Sequence, residues 1–261
     1  MKYTSQLQDS FLEYNNCKKC KGLDYCQNKI PGFCFRPKKK ERMITFSYDA
    51  CSYKMDDIEK NAYQENVSIF KLNDEIKNAS LKEIYKDDKA RIPIIKYFKE
   101  FIDKYNNNEK PKGMYLHGSF GSGKTYLIAA LFNEFAKKDV KSTLVYYPDF
   151  LRKLKASFND ENNKYNEQFD EIEQTPLLLL DDIGAENCSS WSRDEVLGPI
   201  LQYRMENHLP TFFTSNLTIE ELEKALSITS SGVDKVKARR IIERIKQLTN
   251  DFELISKNRR N

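Results

Sequence analysis

The octapeptide Gly118-Ser-Phe-Gly-Ser-Gly-Lys-Thr125 decides the fold class of this chain. It matches the pattern G-x-x-x-x-G-K-[ST] at every fixed position. The stretch Gly113–His117 before it predicts a strand, and the periodic stretch Thr125–Lys138 after it predicts a helix. Glycines let the backbone wrap an anion without side-chain collision, so several N–H groups and the helix N-terminus point at one phosphate. The stretch therefore predicts a phosphate-binding loop; the alternative is a glycine turn before an ordinary helix.

We expect this loop to bind ATP. The ammonium of Lys124 is suited to the β- and γ-phosphates, and the hydroxyl of Thr125 is suited to ligating Mg²⁺. The predicted nucleotide-binding residues are Gly118, Ser119, Phe120, Gly121, Ser122, Gly123, Lys124, Thr125 and Tyr126.

A carboxylate pair ends a second predicted strand. The run Leu177-Leu-Leu-Leu180 is typical of a strand that is buried on both faces of a sheet, and Asp181 and Asp182 follow it. Asp181 would hold Mg²⁺ through water, and Asp182 would polarise the water that attacks the γ-phosphate. The alternative is a pair of aspartates that caps the next turn.

A third predicted strand, Thr211–Ser215, ends at Asn216. The amide of Asn216 can hydrogen-bond both the attacking water and the γ-phosphate, although asparagine is also a common turn former. Strands and helices alternate from Gly113 to Leu226, with predicted helices over Pro148–Phe158 and Arg193–Asn207 among them. This alternation predicts an α/β fold with a parallel central sheet and flanking helices.

The composition narrows the class of protein. Of the 261 residues, 39% are hydrophobic, and the net charge of +4 is too small to demand a nucleic-acid partner. No apolar run approaches the ~20 residues that a membrane span needs, so we expect no membrane partner. The N-terminus lacks the apolar stretch of a secretion signal, so we expect a cytoplasmic protein whose six cysteines are thiols or metal ligands.

Five of the six cysteines lie in the spacing Cys17-x₂-Cys20-x₅-Cys26-x₇-Cys34-x₁₆-Cys51. A Cys-x-x-Cys pair with distant cysteines suits tetrahedral Zn²⁺, but five cysteines for four positions leave one spare. The alternative is a set of buried thiols without metal. We expect a zinc-binding domain over residues 1–55, a polar linker over 56–75 and a nucleotide-binding domain over 76–261.

The order of phosphate loop, Asp-Asp strand and polar sensor strand resembles that of the AAA+ ATPases. Within them, Leu177-Leu-Leu-Leu-Asp-Asp-Ile-Gly-Ala-Glu186, the Thr-Ser-Asn216 strand end and Arg240-Ile-Ile-Glu-Arg-Ile245 resemble the DnaC/DnaI helicase-loader clade. The resemblance covers about residues 75–261. It implies ATP hydrolysis and self-association through the ATP site.

The resemblance also implies roles for single residues. Arg244 would be the arginine finger that reaches the nucleotide of a neighbouring subunit, although Arg240 and Arg244 alone also fit a solvated basic face. Arg259, or alternatively Arg260, would be the second sensor. In the helix after the second strand of the fold, the residues implied to contact single-stranded DNA are Arg152, Lys153 and Lys155. That helix could equally be an amphipathic surface helix.

The resemblance to the DnaI-type loaders implies that the cysteine-rich head binds zinc and grips the hexameric replicative helicase. The implied zinc ligands are Cys17, Cys20, Cys34 and Cys51, with Cys26 as the spare thiol. The expected function is ATP-dependent loading of the replicative helicase onto single-stranded DNA. The alternatives are a helper ATPase of DNA transposition and a zinc-dependent adaptor that binds nucleotide without hydrolysing it.

Overall fold

A computed structural model describes residues 3–40, 43–70, 74–84, 88–156, 164–230 and 232–259. The chain divides into two compact units, Met1–Ala62 and Tyr63–Asn261. Within the described residues, no helix is both long enough and apolar enough to cross a membrane.

The described residues of the first unit form two α-helices, a short 3₁₀ helix (Leu23–Tyr25) and a pair of strands. Its elements are α1 (Thr4–Lys18), β1 (Phe33–Lys40), β2 (Met43–Ala50) and α2 (Ser52–Asn61). The two strands pair antiparallel. Helix α1 is fixed to β1 by the buried carboxylate of Glu13, which accepts hydrogen bonds from the backbone N–H groups of Phe35 at 2.6 Å and Lys29 at 3.4 Å.

The second unit is a sheet flanked by helices. Its strands are β3 (Val67–Phe70), β4 (Gly113–Gly118), β5 (Ser142–Tyr146), β6 (Leu177–Asp181), β7 (Thr211–Ser215), β8 (Ile228–Thr229), β9 (Gly232–Val233) and β10 (Thr249–Leu254). Its helices are α3 (Asp74–Lys77), α4 (Ile92–Asn106), α5 (Lys124–Ala136), α6 (Tyr147–Ala156), α7 (Lys164–Gln174), α8 (Gly198–Glu206), α9 (Ile219–Ser227) and α10 (Lys235–Leu248).

Six of these strands form one parallel sheet in the order β10-β4-β7-β6-β5-β3. Alternate residues of the central strand β6 enter different cores: Leu177 and Leu179 pack with α4 and α5, whereas Leu178 and Leu180 pack with α6, α8, α9 and α10. Helices therefore cover both faces, which confirms the predicted α/β fold. Because all six strands run parallel, their carboxyl ends meet at one edge, where ligands of such sheets bind.

The segment predicted as a linker, residues 56–75, contains regular structure. Helix α2 extends to Asn61, and β3 pairs with β5 at the edge of the sheet. An edge strand of four residues between charged segments has too few alternating apolar positions to be read from sequence. Residues 71–73 of the predicted linker lie outside the described residues.

Other elements differ from their predicted bounds. The helix predicted over Arg193–Asn207 begins as a π-helical turn, Ser192–Leu197, and continues as α8. Of the helix predicted over Pro148–Phe158, α6 covers the residues up to Ala156, and the last two lie outside the described residues. Strand β10 was not predicted, because Phe252 and Leu254 are its only apolar side chains.

Candidate nucleotide-binding site

The glycine-rich loop joins β4 to α5 at the carboxyl edge of the sheet. Gly118 has a φ of 132°, and a Cβ there would lie 2.3 Å from the carbonyl oxygen of Leu254. Gly121 has a φ of 67°, and a Cβ there would lie 2.0 Å from Oδ1 of Asn258. The contact at Gly118 is with backbone, and the positive φ of both residues favours glycine, so the loop can pass close to the end of β10.

The ammonium group of Lys124 lies inside the loop. Its buried Nζ donates to the carbonyl oxygens of Gly118 at 3.1 Å and Ser119 at 2.9 Å, and to Oδ1 of Asn216 at 2.8 Å. Ser122 is fully buried beside it, and its Oγ has no hydrogen-bond partner within the described residues. The loop thus combines a cation, a free hydroxyl and glycine backbone, the donor set that phosphate groups require.

A pair of oxygen ligands lies at the start of α5. Oγ1 of Thr125 donates to Oδ1 of Asp181 at 2.6 Å, and Oγ1 of Thr214 donates to the same oxygen at 2.6 Å. Burial raises the pKa of Asp181, while these two hydroxyls act against the shift. A hydroxyl and a carboxylate at this separation are the hard oxygen donors that Mg²⁺ prefers, so the residues fit that ion.

Asp182 occupies a backbone conformation that is uncommon for a residue with a side chain. Its φ is 60°, and its N–H donates to Oγ1 of Thr214 at 2.9 Å. Its Oδ1 accepts a hydrogen bond from Nδ2 of Asn216 at 3.0 Å. Left-handed backbone at a non-glycine residue persists only where the surroundings enforce it, and such residues concentrate at functional sites.

The structure therefore brings together the ends of α5, β6 and β7. The predicted residues that meet there are Lys124, Thr125, Asp181, Asp182 and Asn216. Two other predicted residues face elsewhere: Phe120 is exposed, and the hydroxyl of Tyr126 accepts from the N–H of Ser80 at 3.2 Å and donates to Glu83 at 3.1 Å.

Arg259, predicted as the second sensor, lies against the phosphate loop. Its N–H donates to the carbonyl oxygen of Gly121 at 2.9 Å, and its Nη2 lies 3.4 Å from Oδ2 of Asp88. The alternative sensor, Arg260, lies outside the described residues.

Two residues that the sequence analysis did not single out brace the loop. Arg91 is buried, and its Nη2 donates to the carbonyl oxygen of Ser122 at 2.6 Å. Asp88 lies 3.5 Å from Nε of Arg91 and accepts a hydrogen bond from Ser256. Asp88 thus joins the loop brace to the segment that carries Arg259. The sequence gave no signal of this role, because Asp88 and Arg91 are single charged residues that belong to no recognisable pattern.

Arg244 lies on a different surface of the same unit. Its Nη1 donates to the carbonyl oxygen of Gly198 at 3.0 Å. It lines a groove of about 480 Å³ whose lining residues are Met205, Lys235, Val236, Arg239, Arg240, Glu243, Arg244 and Gln247. We call the phosphate loop together with Asp181, Asp182 and Asn216 the nucleotide cradle. None of the groove residues belongs to it, so Arg244 lies outside the nucleotide cradle.

The basic residues of α6 are exposed to solvent. Arg152 and Lys153 pair with the buried carboxylate of Asp149, the latter at 3.4 Å, and Lys155 is exposed beside them. Phe150 is buried in the core of the second unit. The helix thus presents cations on one face and packs its aromatic side chain on the other.

The structure gives no support to the predicted zinc cluster among the described cysteines of the first unit. Burial raises the pKa of Cys17, and the neighbouring thiol of Cys34 adds to the shift. Backbone groups engage two further thiols: Sγ of Cys20 donates to the carbonyl oxygen of Gly22 at 3.3 Å, and Sγ of Cys26 accepts from the N–H of Gly32 at 3.3 Å. In the part of the chain that the structure describes, no group of three or more His, Cys, Asp or Glu is arranged to hold a metal ion.

Comparisons with known proteins agree with a nucleotide-binding site in the second unit. A profile of the family described as IstB-like ATP binding protein matches residues 99–249. The replicative helicase loader DnaI of Bacillus subtilis (strain 168) is 35% identical over 260 residues, which is 99% of this chain and 83% of that protein. This chain belongs to the DnaI family of IstB-like ATP-binding proteins.

Solved structures support membership in the DnaI family. A crystal structure of DnaI matches with a TM-score of 0.66 and 44% identity, and the match covers 76% of this chain and 99% of that chain. A crystal structure of the DnaC helicase loader matches in fold, with a TM-score of 0.58, 22% identity and coverage of 70% of this chain and 99% of that chain. The resemblance inferred from the motifs is thereby confirmed, as is ATP binding at the level of the family. The roles of the individual site residues stay predictions.

Proposed function

We propose that this protein loads a replicative DNA helicase onto single-stranded DNA in the cytoplasm and hydrolyses ATP during that cycle. One observation carries the proposal: the 35% identity to a helicase loader extends over 260 residues and therefore over both units. A transposition helper would share the ATPase motifs, but we expect it to lack the cysteine-containing unit.

ATP would bind with its phosphates in the glycine loop. Lys124 would leave the carbonyl oxygens of Gly118 and Ser119 and place its charge between the β- and γ-phosphates. Mg²⁺ held near Thr125 and Asp181 would neutralise phosphate charge. Asp182 and Asn216, already hydrogen-bonded to each other, would orient the attacking water.

Arg244 of a neighbouring copy would complete the site. It lies outside its own cradle, so it can act on a triphosphate only if a second copy brings it there. An arginine supplied in this way raises hydrolysis on the order of 10³–10⁵-fold in comparable systems. Turnover should therefore rise with protein concentration, and the variant Arg244→Ala should lose that rise while still binding ATP.

The first unit offers a surface for the helicase. On α1, Leu7, Phe11 and Tyr14 follow one another at helical spacing and are all exposed, with Phe11 exposed by 67%. An exposed apolar stripe of this kind is typical of a protein-binding surface. Leu12 is similarly exposed, by 61%, but lies to one side of the stripe, and it supplies a matched control.

A pull-down with the hexameric replicative helicase tests the loader assignment. We expect capture by wild type in the presence of ATP, weaker capture with ADP, a loss with Phe11→Ala and little change with Leu12→Ala. Equal losses for the two variants would reject the α1 stripe. Absence of capture by wild type under every nucleotide condition would reject the loader itself, and absence of ATP turnover would favour a nucleotide-binding adaptor.

Single-stranded DNA would bind along α6. The exposed cations Arg152, Lys153 and Lys155 could pair with phosphates, each contact adding to the salt dependence of binding. The triple alanine variant should bind a fluorescent oligonucleotide more weakly and with a shallower salt dependence than wild type. Lys104→Ala on α4, which packs on the other face of the sheet, is the control, and an equal loss in it would reject the assignment.

Zinc binding by Cys17, Cys20, Cys34 and Cys51 stays a proposal that rests on thiol chemistry and on the contact between Cys17 and Cys34. Elemental analysis of the purified protein should find about one zinc per chain, lost in Cys17→Ser and kept in Cys26→Ser. Protein without zinc that folds and captures the helicase would reject the site.

A further inference from the structure

Phe120 is an unexplained residue of the phosphate loop. Its side chain is 73% exposed, although it lies between Ser119 and Gly121, whose backbone oxygens are held by Lys124 and Arg259. Its ring makes no aromatic or cation–π contact within the described residues. A large apolar ring therefore lies at the rim of the phosphate loop, and the residues that the structure describes leave most of it exposed.

The groove beside Arg244 has the complementary character. Met205 and Val236 give it apolar wall, and Val236 is 67% exposed. Its cations are Lys235, Arg239, Arg240 and Arg244, against the single acidic residue Glu243. Arg240 is exposed and makes no hydrogen bond or ion pair within the described parts of the chain. The groove thus has an apolar wall, an available guanidinium and a net positive charge.

We propose that Phe120 of one copy seats in this groove of a second copy. The ring would pack on Met205 and Val236 and present its face to the guanidinium of Arg240, since arginine binds aromatic faces most strongly when water is excluded. The inference rests on the proposed function, because Arg244 can reach a triphosphate only if the groove closes over the rim of a neighbouring cradle. Phe120 is the apolar residue at that rim.

The contact would fix the position of Arg244 relative to the nucleotide that is bound by the neighbouring copy. A positive groove is attracted to a cradle loaded with triphosphate, but charge alone does not fix position. An aromatic side chain in an apolar recess does, because it fits in one place. The same surfaces then recur from copy to copy in a head-to-tail contact, which gives a ring or a filament. Phe120 would be a positioning residue for Arg244.

Mixing two inactive variants isolates one interface. The Lys124→Ala chain keeps its groove but lacks a working cradle, and the Arg244→Ala chain keeps its cradle but lacks the finger. A mixture should recover ATP turnover that neither chain has alone, because the intact cradle of one meets the intact groove of the other. Phe120→Ala is then added either to one chain or to the other. Both mixtures thus contain the same three substitutions and differ only in which chain carries Phe120→Ala.

The expected result is asymmetric. Phe120→Ala in the Arg244→Ala chain should lower the recovered turnover on the order of tenfold, and in the Lys124→Ala chain it should leave the recovery intact. Val236→Asp should do the reverse, abolishing recovery only in the Lys124→Ala chain. Equal effects in both placements would overturn the proposal. Circular dichroism and thermal unfolding of each chain check that the exposed substitutions leave the fold intact.

Other occupants of the ring give different results. If Phe120 instead packs on the adenine base, Phe120→Ala in the isolated Arg244→Ala chain weakens binding of a fluorescent ATP analogue by the same factor as turnover. If it stacks on a DNA base, the asymmetry appears only when an oligonucleotide is present. Either outcome overturns the proposal. Absence of recovery in the parent mixture, with wild type active, would instead reject the trans action of Arg244 and the register contact with it.

Discussion

Nζ of Lys124 lies 2.8 Å from Oδ1 of Asn216, and the same amide donates from Nδ2 to Asp182 at 3.0 Å. One asparagine thus joins the cation of the phosphate loop to the carboxylate that would orient water. A triphosphate must compete with the loop carbonyls and with Asn216 for Lys124. Displacement of Lys124 would release Oδ1 of Asn216 for the attacking water while Nδ2 keeps Asp182 in place.

We expect Asn216→Ala to lower kcat for ATP hydrolysis by about 10²-fold, the cost typical of removing one positioned donor. KM should change little, because the glycine backbone and Lys124 stay in place. Asn216→Asp is the matched control: it keeps the shape but adds a negative charge near the phosphates, so it should raise KM as well. Steady-state kinetics measures both, and a raised KM with normal kcat in Asn216→Ala would contradict this role.

Asp181→Asn should abolish the stimulation of ATP hydrolysis by Mg²⁺. The carboxylate accepts hydrogen bonds from the hydroxyls of both Thr125 and Thr214, and the amide would keep part of that geometry without the negative charge that would hold the ion. Turnover should fall by at least about 10²-fold across a Mg²⁺ titration. Binding of ATP measured in EDTA should persist, and its loss would indicate that the substitution disrupts the cradle itself.

The candidate site could be predicted where each candidate residue follows a buried strand. The leucine run before Asp181 and the Thr211–Ser215 strand before Asn216 marked two strand ends, and the glycine pattern marked the third. In a parallel sheet, strand ends meet at one edge, so local patterns sufficed to assemble Lys124, Asp181 and Asn216. The order of the motifs then indicated the family.

The residues that brace the site could not be predicted in this way. Arg91 and Asp88 lie far from the loop in sequence and come to it only through the fold, and a single charged residue has no periodicity. Strand β10, which brings Arg259 to the loop, has a polar sequence because it is an edge strand. The cysteine spacing suggested a metal cluster, but spacing alone does not fix where each thiol points.

Arg204 should be among the most sensitive positions for stability. It is fully buried, and its donors bond to Thr211 and to four carbonyl oxygens, those of Ile172, Glu173, Thr175 and Pro210. Lysine keeps the charge but cannot reach these acceptors with one ammonium. Arg204→Lys should lower the free energy of unfolding by about 2–4 kcal/mol in urea denaturation. The exposed Arg239→Lys is the control, and a similar small change in both would contradict this role.

Asp88 should make stability dependent on acid pH. The hydroxyl of Ser256 lowers the pKa of Asp88 most, and the N–H of Ala90, Arg259 and Arg91 add to the shift. A carboxylate whose pKa is lower in the folded than in the unfolded state stabilises the fold above the unfolded pKa, about 3.9, and loses that contribution as pH falls through the folded value. The gap in unfolding free energy between wild type and Asp88→Asn should therefore be constant from about pH 5 to 8 and narrow below about pH 4. Asp139→Asn, at an exposed carboxylate, is the control for general acid effects. A gap that stayed constant down to about pH 2 would mean that the charge of Asp88 does not hold the C-terminal segment to the phosphate loop.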